Sequence, residues 1–144
     1  MPEFKTAAHM GFANPVLHHV AVVVADLDDA IARYDGLGFA GVERFALPEQ
    51  AVEVATFRSG SCWVELIRPT DPEGPIARFL VKRGAGFHHV AYAVPDIEAA
   101  LARLEAGGTR LIDTVPRLGA HGWRIAFLHP DSCGGVLTEL VEAK

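Results

Sequence analysis

The first sustained pattern along the chain is an apolar, β-branched run at residues 17–25, LHHVAVVVA, which predicts a strand. The period then changes. Leu27, Ala30, Ile31 and Tyr34 recur at helical spacing behind Asp26, a good cap, so a helix is predicted to about Asp35, ended by Gly36 and Gly38. Three more strand-like stretches follow at about 40–46, 52–58 and 62–68, with Ser59-Gly60-Ser61 as a hairpin turn between the last two. Pro69 and Pro72 interrupt the pattern, Gly74-Pro75 opens a short helix to about Lys82, and residues 83–86 form a glycine-rich joint.

The pattern then begins again. Residues 87–105, FHHVAYAVPDIEAALARLE, match residues 17–35 without a slip in register, and nine of the nineteen aligned positions are identical, including His18/His88, His19/His89 and Asp26/Asp96. A repeat of this length is a structural unit used twice. The second copy predicts a strand at 87–94, a helix at 96–106, a stop at Gly107-Gly108, and strands near 110–113, 123–128 and 136–141 separated by loops at 114–122 and 129–135. Each half reads βαβββ. The predicted fold is α+β: two paired βαβββ modules forming a curved mixed sheet around a metal-binding cleft, with helices outside. Module 1 covers about 16–70, the connecting helix 74–83 and module 2 about 87–142, all within one domain at 16–144. Residues 1–15 have no sustained periodicity, end in Asn14-Pro15, and read as a flexible arm that carries His9.

Bulk properties narrow the function. At 144 residues, half of them apolar, the chain can bury a core as one domain. A net charge of −5 argues against nucleic acid as a partner. The longest apolar run, 20–25, is too short for a membrane span, and no secretory pattern is read at the start. Cys62 and Cys133 form no CxxC pair and suggest no disulfide framework, so a reducing cytoplasmic setting is expected.

Candidate chemistry comes from strand alternation. One face of the first strand carries His18, Val20, Val22 and Val24, and the other Leu17, His19, Ala21 and Val23; the second copy divides the same way. The face with the smaller residues leaves room for a cleft, and it carries His19 and His89. The last strand of each half holds an acid among apolar neighbours, Glu65 in Trp63-Val64-Glu65-Leu66-Ile67 and Glu139 in Leu137-Thr138-Glu139-Leu140-Val141. Such a carboxylate is costly unless paired or bound to a cation. One histidine and one acid per half, at equivalent positions, suggest a divalent metal on the pseudo-twofold axis. The N/O donor set suits Co²⁺, Mn²⁺, Ni²⁺, Zn²⁺ or Fe²⁺. His121 lies in a loop able to close over such a site, His129 before Pro130 reads as structural, and Trp63 and Trp123 read as packing or cleft walls.

The stretches HHVAVVVADLDDAIARY, VELIRP, FHHVAYAV and GGVLTELVE resemble the vicinal oxygen chelate superfamily, which is built from paired βαβββ modules. Within it, the segments GPIARFLVKRGAGFHHVAYAVPDIEAALARLEAGG and RLGAHGWRIAFLHPDSCGGVLTELVE resemble methylmalonyl-CoA epimerases. The resemblance implies one divalent metal held by His19, Glu65, His89 and Glu139, an acyl-CoA substrate, and a homodimer. It also implies interconversion of (2R)- and (2S)-methylmalonyl-CoA, or a close 2-substituted acyl-CoA, through an enolate. Glu139 is then a candidate acid/base as well as a ligand. A second family acid sits in a Gln-Gly-Val-x-Glu pattern, whereas here Gln50-Ala51-Val52-Glu53-Val54 brings the acid one residue early. One residue reverses the face of a strand, so Glu53 can serve only if a bulge turns it inward; otherwise it is a solvated strand charge. Of Arg78, Lys82, Arg83, Arg117 and Arg124, any could meet CoA phosphates. A glyoxalase-I-like lyase, favoured by the all-glutamate acid pair, and a non-catalytic antibiotic-binding protein of the same fold are the alternatives.

Overall fold

The computed structural model describes residues 14–142. The arm expected at 1–15, with His9, lies outside the described residues up to position 13. The first module comprises β1 (Val16–Val23), α1 (Leu27–Gly36), β2 (Glu43–Leu47), β3 (Val52–Ser59) and β4 (Cys62–Pro69); α2 (Pro75–Arg83) connects it onward. The second comprises β5 (Gly86–Ala93), α3 (Ile97–Ala106), β6 (Arg117–Leu118), β7 (Arg124–Leu128) and β8 (Thr138–Glu142).

All eight strands form one mixed sheet in the order β2-β3-β4-β1-β5-β8-β7-β6. β1 and β5 pair antiparallel at its centre. Outward from that seam, β4 runs parallel to β1 and β8 runs parallel to β5, so the two halves mirror each other in order.

The repeated helix signals work alike in both copies. The Asp26 side chain accepts the Asp29 N–H, and the Asp96 side chain accepts the Ala99 N–H, each at 3.0 Å. These bonds satisfy donors that a helix start leaves unpaired. Leu27 and Ala30 of α1 pack on Ala55, Phe57 and Leu66; Ile97, Ala100 and Leu101 of α3 pack on Ala126, Leu128 and Leu140. The opposite sheet face holds Ala21, Val23, Val52, Val54 and Ile67, covered in part by Ile76, Phe79 and Leu80 of α2. Ser59 pairs with Cys62 across a two-residue turn, and Gly60 there takes the left-handed φ of +62°.

The strand expected near 110–113 is replaced by a single bridge, Leu111 to Leu128. The Asp113 carboxylate accepts the Phe127 N–H at 2.9 Å, taking a position that a strand carbonyl would occupy. The Ile112 and Asp113 N–H groups both turn to the Phe127 carbonyl, at 3.0 Å each. The edge strand therefore forms later, as the two-residue β6. Among the described residues no helix is long and apolar enough to cross a membrane.

Candidate metal and active site

The central seam determines where the histidines point. Leu17 pairs with Tyr92 and His19 with Ala91, so His18 is an extra residue in β1. Ala21 pairs with His89 and Val22 with Phe87, so His88 is an extra residue in β5. Both copies thus carry a bulge at the first histidine of the pair. Strict alternation would put His18 and His88 on the helix-facing side. Instead His18 packs its ring edge-on against Trp123, at 4.5 Å between centroids, and His88 does the same against Phe79 at 4.9 Å.

His19 and His89 are buried, with their Nε2 atoms 3.3 Å apart. Glu65 lies beside Ala21 on β4, and Glu139 beside Ala91 on β8, equivalent places in the two modules. One Glu139 oxygen is 3.4 Å from His19 Nε2, and the other is 3.1 Å from His89 Nε2. A Glu65 oxygen is 3.7 Å from His19 Nε2. The donor atoms of His19, His89 and Glu139 all lie within 4.8 Å of one another, an arrangement able to hold a metal ion. Glu65 adjoins this cluster from the first module. The remaining ring nitrogens are engaged elsewhere: His19 Nδ1 is 2.7 Å from His18 Nδ1, and His89 Nδ1 is 2.8 Å from His88 Nδ1.

The electrostatics fit a cation. Burial pushes the Glu139 carboxyl up to about 8; it pushes the Glu65 carboxyl up to about 7, with a smaller push from Glu139. Burial lowers His89 to about 4 and, with help from His89 and His18, His19 to about 2. Four buried ionisable groups that resist their charged forms are an expensive arrangement for packing alone. Two neutral imidazoles and two carboxylates around a divalent ion relieve that cost, and the donor set is of the mixed N/O kind such ions take.

A cavity of about 500 Å³ reaches this cluster, with Glu65, His88, His89 and Glu139 on its wall. Val52, Val54, Ile67, Ile125 and Phe127 give it an apolar lining, while Glu49, Asp71 and Arg117 also border it. Trp123 separates it from a second cleft bordered by His18, Arg58, Trp63 and His121.

Glu53 is not brought to this cavity. The pairing of β3 runs without a bulge through Val52, Glu53 and Val54. Val54 faces the cavity, and Glu53 accepts Arg44 Nε at 2.9 Å and Arg68 Nη2 at 3.2 Å. Those two guanidinium groups hold its carboxyl below the usual carboxylate range. Of the two readings for Glu53, the structure has the outward strand charge. His121 is not poised over the metal cluster either: its Nε2 lies 2.7 Å from Thr56 Oγ1, and its ring stacks on Trp123 at 4.6 Å. His129 accepts the Asp131 N–H and caps a 3₁₀ turn. Arg117 pairs with Asp113, and Arg124 with Glu98 and Glu142. The sequence reading missed the place of His18 and His88 at this site: the doublet recurs in both copies, but simple alternation assigned its first member to the helix-facing side.

With this geometry, comparison with known proteins is specific. Residues 18–127 match the Glyoxalase/Bleomycin resistance protein/Dioxygenase superfamily. The chain belongs to that superfamily, the class of paired βαβββ proteins with a cleft site. It is 42% identical to the mitochondrial methylmalonyl-CoA epimerase of Bos taurus over 144 aligned positions, covering 95% of this chain and 82% of that protein. It is 40% identical to an ethylmalonyl-CoA/methylmalonyl-CoA epimerase of Cereibacter sphaeroides, covering 86% of this chain and 95% of that one. A solved methylmalonyl-CoA epimerase in complex with methylmalonyl-CoA and NH4+ superposes with a TM-score of 0.86 at 33% identity, covering 91% and 96% of the two chains. Within its class the chain groups with the methylmalonyl-CoA epimerases and is an isomerase by family.

Proposed function

We propose that this protein interconverts the 2R and 2S forms of methylmalonyl-CoA, or of a close 2-substituted malonyl thioester, at the cluster on the β1–β5 seam. The observation supporting this reading is the convergence of His19 with His89, Glu139 and Glu65, the last three on the wall of one apolar cavity, in a chain 42% identical to a named epimerase. His19, His89 and Glu139 hold a divalent metal, and Glu65 completes the ligand set from the first module. When bound, the metal supplies Lewis acidity toward the negative charge that develops on the thioester oxygen.

The chain's own residues perform the proton transfers. Epimerisation breaks the C2–H bond, moves its electron pair into an enolate, and forms a new C–H bond on the other face. Among the described residues, Glu139 and Glu65 are the two buried carboxyls on the cavity. We assign the two faces to them, since Glu53 is turned away and tied to Arg44 and Arg68. Val54, Ile67, Ile125 and Phe127 exclude water from the enolate and receive the 2-substituent. A homodimer belongs to the same reading, with a solution mass of roughly twice the 15.5 kDa chain.

Incubating Co²⁺-loaded protein with one epimer in D₂O tests the reading. The expected result is deuterium at C2 and appearance of the other epimer. Glu65→Gln should leave solvent exchange confined to one epimer. Absence of both exchange and inversion in the wild type would sink the proposal. Formation of a lactoylthioester from a hemithioacetal would instead move the chain to the lyases.

A further inference from the structure

The two bulges lie at the same place in both modules, on the two strands that pair at the centre of the sheet. A bulge leaves a residue unpaired and disrupts the ladder, so its repetition asks for a use. Each bulged residue is a histidine whose Nδ1 meets the Nδ1 of the next histidine, at 2.7 Å for His18–His19 and 2.8 Å for His88–His89. All four rings are largely withdrawn from solvent. We propose that His18 and His88 are positioning residues, the Nδ1 of each accepting a hydrogen bond from the Nδ1–H of the next histidine, so that the Nε2 lone pairs of His19 and His89 stay directed at the metal.

The chemistry of the imidazole leaves two arrangements. A contact this short between two neutral rings needs one proton on the line between the two nitrogens. If His18 supplied it, His19 would carry its own proton on Nε2, aimed at His89 Nε2 and Glu139, and could bind no metal there. If His19 supplies it, His19 Nε2 is a free donor of electrons and His18 keeps its proton on Nε2. The same choice holds for His89 and His88. Metal-ligating histidines generally give their second N–H to an acceptor that fixes tautomer and ring angle. Here that acceptor comes from the adjacent residue, and only a bulge can bring two consecutive strand residues to the same side. Trp123 against His18, and Phe79 against His88, hold the acceptor rings in turn.

The inference rests on the metal-site reading of His19, His89 and Glu139, and is independent of the substrate. The test is Co²⁺ affinity of metal-free full-length protein, measured by chelator competition and by the visible Co²⁺ spectrum, for wild type, His18→Phe, His88→Phe, His18→Asn and His88→Asn. Phenylalanine keeps the ring and removes the acceptor; asparagine loses the ring, and its Oδ1 takes nearly the place of Nδ1. The Phe variants should bind Co²⁺ about 10–100-fold more weakly, and the Asn variants within a few-fold of wild type. Phe variants that bind as wild type does, or Asn variants that fall as far as the Phe ones, would overturn the proposal while leaving the metal site standing. A wild type that binds no Co²⁺ would overturn both. Should the variants not fold, ¹⁵N spectra of the Zn²⁺-loaded wild type decide it. The proposal requires protonated Nδ1 on His19 and His89 and protonated Nε2 on His18 and His88, and any other pattern refutes it.

Discussion

Glu53 and Val54, neighbours in β3, stand on opposite faces of the sheet: Val54 is 1% exposed on the cavity wall, and Glu53 lies between Arg44 and Arg68 outside it. A one-residue offset in the sequence has therefore exchanged an acid for a methyl-bearing wall. Glu53→Gln should leave kcat within about twofold of wild type. It should cost no more than about 1 kcal/mol in urea denaturation, the usual worth of a solvated ion pair. Glu139→Gln, by contrast, should lower kcat by about 10²-fold or more, since it removes a general acid/base as well as a ligand charge. An Glu53→Gln variant as impaired as Glu139→Gln would show that β3 turns over during catalysis.

Much of this was legible in the sequence because the repeat supplied its own check. His19 and His89, and the helix caps Asp26 and Asp96, follow from one module to the other by register alone, while Glu65 and Glu139 correspond as the acid among apolar neighbours in the last strand of each half. What stayed hidden were the places where a side chain replaces a backbone pairing rule. Alternation assumes an unbroken ladder, so it put His18 and His88 with the helix-facing residues. The strand expected near 110–113 failed for a similar reason, because the Asp113 carboxylate bonds the Phe127 N–H that a strand partner would have taken. Glu53 shows the converse: β3 keeps its register, so plain alternation places it correctly.

Stability of the metal-free protein should depend on pH from both sides. Glu139 and Glu65, at about 8 and about 7 against 4.5, bind protons more tightly folded than unfolded. Their contribution is complete below pH 4.5 and is lost as pH rises through 7 and 8. His19, His88 and His89, at about 2, 4 and 4 against 6.5, have the opposite sign; their contribution is present above pH 6.5 and is lost as pH falls through 4 and 2. Thermal melts of metal-free protein should peak near roughly pH 6 and lose on the order of 1–2 kcal/mol by about pH 8.5. Co²⁺ should abolish the alkaline decline, and Glu139→Gln should reduce it without metal. A flat profile in metal-free wild type would mean that the carboxyls are not buried as described.

The two helix caps give a symmetry test. Asp26→Ala and Asp96→Ala each remove one 3.0 Å bond to a backbone N–H, on helices that pack against separate clusters. Each should cost about 1 kcal/mol in urea denaturation. The double variant should cost about the sum, since distant sites that share no partner add. A sum that fails by more than roughly 0.5 kcal/mol would show that the modules are coupled through the β1–β5 seam more strongly than their separate cores imply.

Trp123 is the partition between the metal cavity and the second cleft. Its ring is nearly parallel to that of His19 at 5.9 Å, edge-on to His18 at 4.5 Å, and stacked on His121 at 4.6 Å. Its removal would open one space into the other and leave the His18–His19 pair without its wall. Trp123→Ala should destabilise the fold by about 3 kcal/mol, as large-to-small changes at packed aromatics do, and should weaken Co²⁺ binding along with it. Trp123→Phe keeps a ring in place and should cost about half as much or less. The position also gives a direct optical readout, because paramagnetic Co²⁺ quenches an indole held this close to a ligand ring. The fluorescence lost on Co²⁺ addition should come from Trp123 and from Trp63, whose ring lies 5.4 Å from it and which pairs with His19 across β1 and β4, so Trp123→Phe should lower the total signal while Trp63 is still quenched. Absence of quenching in the wild type would move the metal away from the β1–β5 seam.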